Sequence, residues 1–405
     1  MKKFFALGLL ALTLAVTSAC GSEDETMELM WFSDGSEDEV MQDLLDRYEE
    51  EEGVKIELVE VAYDDYESRL RTRIRGDEAP ALARAQEGQI NNFSDHIIPL
   101  DDVFDPDDFA NVFNNDDGTP LGLPMDVTAN GLFVNLDLLE EHDVDYPELG
   151  DEVWTWDEFE TEMKKLEGQD GVTAPGIFDF QAHRAMPLLY QHGVTIWDEP
   201  YSDSNLTSDE AVEAFEMLQR FYEEEFLDDT VYAGTGSAEA FRTGAYGFHM
   251  SGNWNVSAYQ EDADFDWTVV PMPQGTNRAT ILGGKHMTAF EDSGMEDEAL
   301  DFIEWLSEPE QHDYFNEEVP FLSARRDADI DFGDIDTEYQ VFQDEIAATD
   351  AKYTDDWLTQ VMIEGMYPII NKAIEDIAKG EDDVDDILAD LEDELEEAWD
   401  ESQED

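Results

Sequence analysis

The residues of this chain that could do chemistry are mostly carboxylates, and few of them fall at a recognisable spacing. The sequence has 104 aspartates and glutamates, seven histidines and one cysteine. It contains no His-Glu-x-x-His, Gly-x-Ser-x-Gly or phosphate-loop motif. Four acids match the first, third, fifth and twelfth ligands of a calcium loop: Asp327, Asp329, Asp331 and Glu338. The sixth position of such a loop requires glycine but is Phe332 here, so we predict no metal site.

The stretch with the clearest local organisation is 241–254, which ends in Trp254. Gly244 is typical of a helix end, because glycine adopts the left-handed conformation found there. Residues 246–250 have the composition of a short buried strand, and 251–253 that of a turn. Ligands of open α/β sheets bind at strand ends. The pattern therefore predicts Trp254 as a binding residue, and the alternative is a tryptophan buried in the core.

The composition is that of a large, strongly acidic, folded chain. Its 405 residues are enough for two domains, and 41% of them are hydrophobic, enough for a sizeable core. Only 21 lysines and arginines oppose the acids, which gives a formal net charge of -83. Because phosphate backbones are bound by basic patches, we expect no nucleic-acid partner. A coat of carboxylates screened by concentrated salt would explain the charge, so we expect a surface protein of a halophile.

Residues 1–20 predict a lipoprotein signal peptide, which does not belong to the fold. Their apolar run, 4–16, is too short for a stable membrane span. Thr-Ser-Ala-Cys at 17–20 then resembles a bacterial lipobox, in which Cys20 would be lipidated and become the mature N-terminus. Residues 21–26 would form a polar tether. The alternative is an ordinary secretory signal with a chance cysteine, because the lipobox prefers leucine or valine in place of Thr17.

The predicted elements that follow alternate between strands and helices. Residues 28–32 and 54–61 have the composition of strands, and the helix between them ends at Gly53. A second helix spans 63–75 and ends at Gly76. This alternation is typical of α/β folds with a parallel sheet.

Four stretches carry motifs that occur together in one protein family. The first is 123–135, which begins within a Gly-x-Pro motif at 122–124, and the second is Thr-Trp-Asp-Glu-Phe at 155–159. The third is 241–254, with Phe-x-x-Gly and Gly-x-Trp, and the fourth is 270–284, where Pro-x-Pro precedes Gly-Gly. Together they resemble extracellular solute-binding protein family 1, the maltose-binding type of receptor that feeds ABC importers. Ala81 departs from the pattern, because the family usually has aspartate there.

The resemblance implies an α/β, periplasmic-binding-protein-like fold, with two α/β lobes, a ligand cleft between them and a multi-strand hinge. Lobe 1 would comprise 27–126 and 284–330, and lobe 2 would comprise 127–283 and 331–405. Three chain crossings, near 126–129, 280–284 and 326–336, would let the lobes close on a ligand.

The resemblance also implies a substrate-binding lipoprotein of an ABC importer. It would capture a sugar, oligosaccharide or polyol outside the cell and deliver it to a membrane permease. We expect a monomer without cofactor or enzymatic activity, anchored by lipid at the extracellular face of the cell membrane. Two alternatives stay open: the same fold binding a polyamine, a metal ion or a phosphorylated polyol, and a secreted glycoside-active enzyme.

Sugar capture requires aromatic rings for the apolar face of the sugar and polar groups for its hydroxyl rim. At the positions where the resemblance places the cleft, the aromatic candidates are Trp31, Trp254 and Tyr367. The other candidates are Asp34, Ser36, Asp126, Asn130, Arg184, Gly284 and Lys285. Trp156, in the predicted helix start at 155–159, is expected to be a core residue.

The charge density predicts a protein whose stability depends on salt. At low ionic strength the carboxylates of a chain with a net charge of -83 repel one another, and added salt screens that repulsion. We therefore expect the melting temperature, measured by calorimetry, to rise steeply from dilute to molar sodium chloride. A melting temperature that stays constant over this range would show that the carboxylates are neutralised within the fold.

Overall fold

The computed structural model describes residues 26–33, 37–115, 117–178, 180–197, 204–228, 236–358, 366–380 and 382–402. The predicted lipidation site Cys20 and the predicted site residues Asp34 and Ser36 lie outside the described residues.

Strands and helices alternate along most of the chain, and helices occupy its end. The strands are β1 (Met27–Trp31), β2 (Ile56–Glu60), β3 (Leu82–Ala85), β4 (Leu123–Pro124), β5 (Asp126–Val127), β6 (Asn130–Asn135), β7 (Ala174–Ile177), β8 (Tyr246–Gly252), β9 (Trp267–Val270), β10 (His286–Ala289) and β11 (Leu322–Ser323). The α-helices are α1 (Glu37–Glu52), α2 (Tyr63–Arg75), α3 (Glu87–Asn92), α4 (Leu136–Glu141), α5 (Trp156–Met163), α6 (Ala182–Gln191), α7 (Asp209–Glu223), α8 (Gly236–Phe241), α9 (Val256–Asp262), α10 (Glu296–Ser307), α11 (Pro309–Glu318), α12 (Asp336–Ala348), α13 (Ala351–Asp356), α14 (Met366–Lys379) and α15 (Val384–Ser402).

The first sheet has five strands in the order β2-β1-β3-β10-β4. β1 pairs in parallel with both β2 and β3, while β10 is antiparallel to β3 and β4. The parallel arrangement predicted from the alternating elements is therefore confirmed for the first three strands. Helices α1 and α11 pack against each other, and α10 packs against β10.

The second sheet has four strands in the order β7-β8-β6-β9. β6 is antiparallel to β8 and β9, and β7 is parallel to β8. Every residue of β6 and β8 is buried, because helices cover this sheet. Among these helices, α12 packs against β6 and β9, and α4 and α8 pack against β8.

The C-terminal helices belong with the second sheet. α14 and α15 pack against each other and against α7. The apolar stripe of α15 is buried, and it consists of Val384, Ile387, Leu388, Leu391 and Leu395. Trp156 is also buried here, and its indole N–H donates to Oε1 of Gln191 at 2.8 Å. The predicted core role of Trp156 is confirmed.

Two local predictions around β8 have different outcomes. Gly244 has a φ of 74°, which confirms the left-handed conformation expected at this stop. The predicted end of the strand at residue 250 is wrong, because Ser251 and Gly252 still pair with β6. A 3-10 turn, Asn253–Asn255, follows the strand directly and contains Trp254.

In the described part of the chain, three segments connect the two sheets. The first connection (125–129) contains β5, the second (271–285) joins β9 to β10, and the third (324–335) joins β11 to α12. Thr128 and Gly283 exchange two backbone hydrogen bonds of 2.7 and 3.0 Å where the first and second connections pass. β5 also pairs with β11, the strand that directly precedes the third connection. The lobe boundaries and the hinge motion stay predictions.

Asp356, the last residue of α13, is a buried carboxylate in the core beside the second sheet. It accepts hydrogen bonds from the Tyr190 hydroxyl at 3.0 Å and the Ile196 backbone N–H at 3.2 Å. Burial raises the pKa of Asp356 from 3.8 to about 6, because desolvation outweighs these hydrogen bonds. Folding therefore has to overcome the cost of an ionised buried group at neutral pH.

Replacing Asp356 with asparagine should remove a pH dependence of stability. A raised folded-state pKa means that native Asp356 keeps its proton between about pH 4 and pH 6 while the unfolded chain releases it, so its contribution to stability falls as pH rises. Relative to wild type, Asp356→Asn should therefore gain up to about 3 kcal/mol of unfolding free energy across this window. Denaturant unfolding in high salt at several pH values measures the difference. Asp390→Asn, on the exposed face of α15, is the control and should show no such trend. An equal difference at every pH would contradict the prediction for Asp356.

Candidate ligand-binding site

Trp254 lies at the end of β8 in a turn that leaves its indole partly exposed. The ring lies against Gly252, where an added Cβ would be 1.8 Å from Cζ3 of Trp254. Only glycine fits there, so Gly252 is required for this position of the ring. The Gly-x-Trp pattern thus has a direct steric explanation.

Three nitrogen-bearing side chains surround the Trp254 ring. The Arg184 guanidinium carbon is 5.3 Å from the ring centroid, and Nζ of Lys285 is 6.0 Å from it. The His183 imidazole meets the indole edge to face, with centroids 5.6 Å apart. Arg184 and Lys285 are only 4% and 3% exposed, so their attraction to the ring is screened little by water. The structure therefore brings together three predicted residues, Trp254, Arg184 and Lys285.

A chain of buried charges continues from Lys285 into the first sheet. Nζ of Lys285 is 3.9 Å from Oδ1 of Asp126, whose Oδ2 is 3.8 Å from Nη2 of Arg84. Arg84, on β3, also pairs with Glu37 at the start of α1, at 2.8 Å. Arg84 and Glu37 were not among the predicted site residues. The sequence signal for Arg84 is an arginine between the alanines of an otherwise apolar strand.

His183 is the centre of a polar network on the side of the second sheet. The Tyr367 hydroxyl donates to Oε1 of Gln181 at 3.2 Å, and it contacts Nδ1 of His183. Nδ2 of Asn371 donates to the same Gln181 oxygen at 3.1 Å. Burial lowers the pKa of His183 well below its usual range, and the nearby Arg184 and Lys285 lower it further. The lowered pKa favours the neutral imidazole of His183, whose Nδ1 shares one hydrogen bond with the Tyr367 hydroxyl.

Asn130, the first residue of β6, is fully buried beside this network. Its side-chain Nδ2 donates to the backbone carbonyl of His183, which fixes the start of α6 against the sheet. Within the described residues, Oδ1 of Asn130 has no hydrogen-bond partner. A buried acceptor of this kind is satisfied by water or by a ligand hydroxyl.

Two predicted residues make close structural contacts. Trp31 is 0% exposed, because its ring packs edge to face against Phe315 and lies 4.7 Å from the guanidinium carbon of Arg84. Its role in stacking on a ligand stays a prediction. A Cβ at Gly284 would be 2.2 Å from the Asp126 carbonyl oxygen, so glycine at this position allows the backbones of the first and second connections to lie in close contact.

The calcium-loop spacing does not produce a cluster of ligands. Asp327 pairs with Arg325, Oδ1 of Asp331 accepts from the backbone N–H of Gly333, and Glu338 accepts from Thr268. Over the residues that the structure describes, no three His, Cys, Asp or Glu side chains are grouped as a metal ion would require.

A cavity of about 510 Å³ lies elsewhere, between the start of α5 and α7. It is lined by Asp157, His192, Glu213 and Glu216 among others, and it contains no predicted site residue. We place the candidate site at Trp254 because aromatic, cationic and amide groups from both sheets and two connections converge there.

The sequence matches the family model of the bacterial extracellular solute-binding proteins over residues 43–338. No curated protein matches it significantly. None of the helices in the described ranges combines the length and apolar character needed to cross a membrane.

Solved structures with the same fold cover nearly the whole chain. An ABC substrate-binding protein from Listeria monocytogenes, in complex with cycloalternan, has a TM-score of 0.76 at 18% identity, over 92% of this chain and 98% of its own. A solute-binding protein from Thermotoga lettingae, bound with α-D-tagatose, has a TM-score of 0.77 at 17% identity, over 92% and 99%. The sugar-binding protein MalE from Xanthomonas citri has a TM-score of 0.69 at 20% identity, over 94% and 98%.

These similarities confirm the two-lobed α/β fold expected from the sequence. The family match covers well over half of the chain. The protein therefore belongs to the family of bacterial extracellular solute-binding proteins.

Proposed function

We propose that this protein is the substrate-binding lipoprotein of an ABC importer and that it captures a carbohydrate in the cleft at Trp254. The observation that carries the proposal is the convergence on one indole ring of His183 and Arg184, neighbours on α6, and of Lys285 from the second connection. The relatives crystallised with cycloalternan and α-D-tagatose support a sugar as the ligand.

The chemistry of the site suits a sugar. The indole face would cover the C–H face of a pyranose ring, and the buried polar groups would bind its hydroxyls. Oδ1 of Asn130 is an acceptor, and the Lys285 ammonium is a donor. The amides of Asn371 and Gln181, which are hydrogen-bonded to each other, each offer both donors and an acceptor. The proposed ligand-binding residues are Asp126, Asn130, Arg184, Trp254, Lys285 and Tyr367, with His183 added from the geometry.

Binding would couple to motion of the two lobes. Asp126, Asn130, Arg184 and Lys285 are all at most 4% exposed, so a ligand reaches them only when the lobes separate. Closure then removes water from the site and strengthens each polar contact with the sugar. In this proposal the lobes have the predicted boundaries and bend at the three connections.

Replacing Trp254 tests the site. Trp254→Ala should weaken carbohydrate binding by roughly 1–3 kcal/mol, the value of burying one large apolar side chain, or about ten- to a hundred-fold. The melting temperature of the ligand-free protein should change little, because the ring is only partly buried. Calorimetric titration of the protein with maltose, maltotetraose and α-D-tagatose in high salt measures the affinity.

Trp156→Ala is the matched control. Trp156 is buried in the core, so its replacement should destabilise the fold by about 3–5 kcal/mol and leave the affinity of the folded fraction unchanged. If Trp254→Ala unfolds the protein while its folded fraction binds normally, Trp254 is a core residue. If none of these sugars binds the wild type, the carbohydrate proposal fails for this ligand class.

The lipid anchor at Cys20 is a second part of the proposal, supported by the lipobox-like sequence and by the extracellular family. Cys20→Ala should either release the protein to the soluble fraction or strand it as a precursor, so that its partitioning on cell fractionation differs from wild type. Cys20→Ser is a closer steric match and should behave in the same way, because serine cannot form the thioether. Membrane partitioning equal to wild type in both variants would contradict lipidation.

A further inference from the structure

Asn253 lies in the same 3-10 turn as Trp254, but its side chain points to the first connection. It is fully buried and makes three hydrogen bonds with that segment. Its Oδ1 accepts from the backbone N–H of Ala129 at 3.0 Å, and its Nδ2 donates to the carbonyl of Val127 at 3.1 Å. Its own backbone N–H donates to the carbonyl of Ala129 at 3.2 Å.

These contacts add to the pairing of the first connection with β11 and with the second connection. In an extended segment, alternate residues direct their backbone groups to opposite sides. Thr128 bonds to Gly283 of the second connection, while the backbone groups of Val127 and Ala129 bond to Asn253. The amide of Asn253 supplies one donor and one acceptor in the arrangement that the two backbone groups require.

The same turn is also held on its other side. The Trp254 ring contacts Lys285 of the second connection and rests on Gly252 of β8. A rotation of the backbone at 127–129 would either break the Asn253 hydrogen bonds or move the 3-10 turn together with the Trp254 indole. The turn therefore links the geometry of the connections to the position of the ring.

We propose that Asn253 is a positioning residue that fastens the Trp254 turn to the first connection, so that movement of the lobes sets the position of the binding ring. The importance of the ring for binding rests on the proposed function. The attachment of the turn to the first connection by Asn253 exists in the ligand-free protein, so it can be tested without a ligand.

The first measurement is hydrogen–deuterium exchange of the full-length protein in high salt without ligand. Asn253→Ala leaves the Ala129 N–H and the Val127 carbonyl without their partner, so exchange of residues 126–131 should become about ten-fold faster or more. Asn255→Ala is the matched control, since Asn255 is in the same turn but bonds to Ser251. It should leave exchange of 126–131 unchanged.

The second measurement follows the ring itself. In protein labelled with 5-fluorotryptophan, the fluorine resonance of Trp254 is assigned by its loss in Trp254→Phe. Asn253→Asp has the shape of asparagine, but its carboxylate cannot donate to the Val127 carbonyl, so the Trp254 resonance should move from its wild-type position at neutral pH. Once protonated at acid pH, the side chain regains a donor and the resonance should return. Wild type and Asn255→Ala should show no such reversal.

Either of two results would overturn the proposal. One is unchanged exchange of 126–131 in Asn253→Ala, or faster exchange throughout both sheets, which would indicate only a general loss of stability. The other is a Trp254 resonance in Asn253→Asp that follows wild type at every pH. Failure of the proposed function would be seen separately, as absence of sugar binding by wild-type protein with both results intact.

Discussion

The buried carboxylate of Asp126 is the interaction on which the junction of the two sheets depends. Asp126 lies on the first connection, and it faces Lys285 of the second connection and Arg84 of the first sheet. All three side chains are almost fully buried, so each charge would be strongly unfavourable without the others. Removing one partner of such a group leaves a charge in a low-dielectric interior. The network therefore specifies how the connections pass each other, whatever its net contribution to stability.

Close backbone packing accompanies these charges. Gly284 lets its segment approach the Asp126 carbonyl, and Thr128 and Gly283 form a two-bond bridge. Asn253 holds the opposite side of the same segment through its amide. The connections are thus paired with one another where they pass, which restricts their backbone conformations there. Segments of this kind confine relative motion of two lobes to a small set of backbone rotations.

The candidate site has a different character from the rest of the surface. In a chain with only 21 lysines and arginines, two of these cations are buried beside Trp254 and a third is buried at Arg84. Next to them, burial lowers the pKa of His183, and its imidazole contacts the Tyr367 hydroxyl. Fixed donors and acceptors in a site that excludes water recognise hydroxyl groups by position rather than by charge alone.

Local sequence patterns were enough to predict several elements and to nominate the place of the candidate site. The alternation of strands and helices and the left-handed conformation of Gly244 follow from local periodicity and backbone preference. Trp254 was predicted as a site residue because a Gly-x-Trp turn after a buried strand is a local pattern, and the close contact between Gly252 and the ring gives that pattern a steric reason.

Which side chains come into contact depends on the tertiary structure. Trp31 is buried because Phe315 of α11 and Arg84 of β3 cover its ring, and neither contact is encoded locally. The pairing of Arg84 with Glu37 joins residues 47 positions apart, and Asn253 meets Ala129 across 124 positions. In the sequence, a polar residue of a binding site cannot be told from one of a hinge or of the surface. Only the packing of distant segments fixes their partners, because burial and hydrogen bonding depend on neighbours that no local pattern contains.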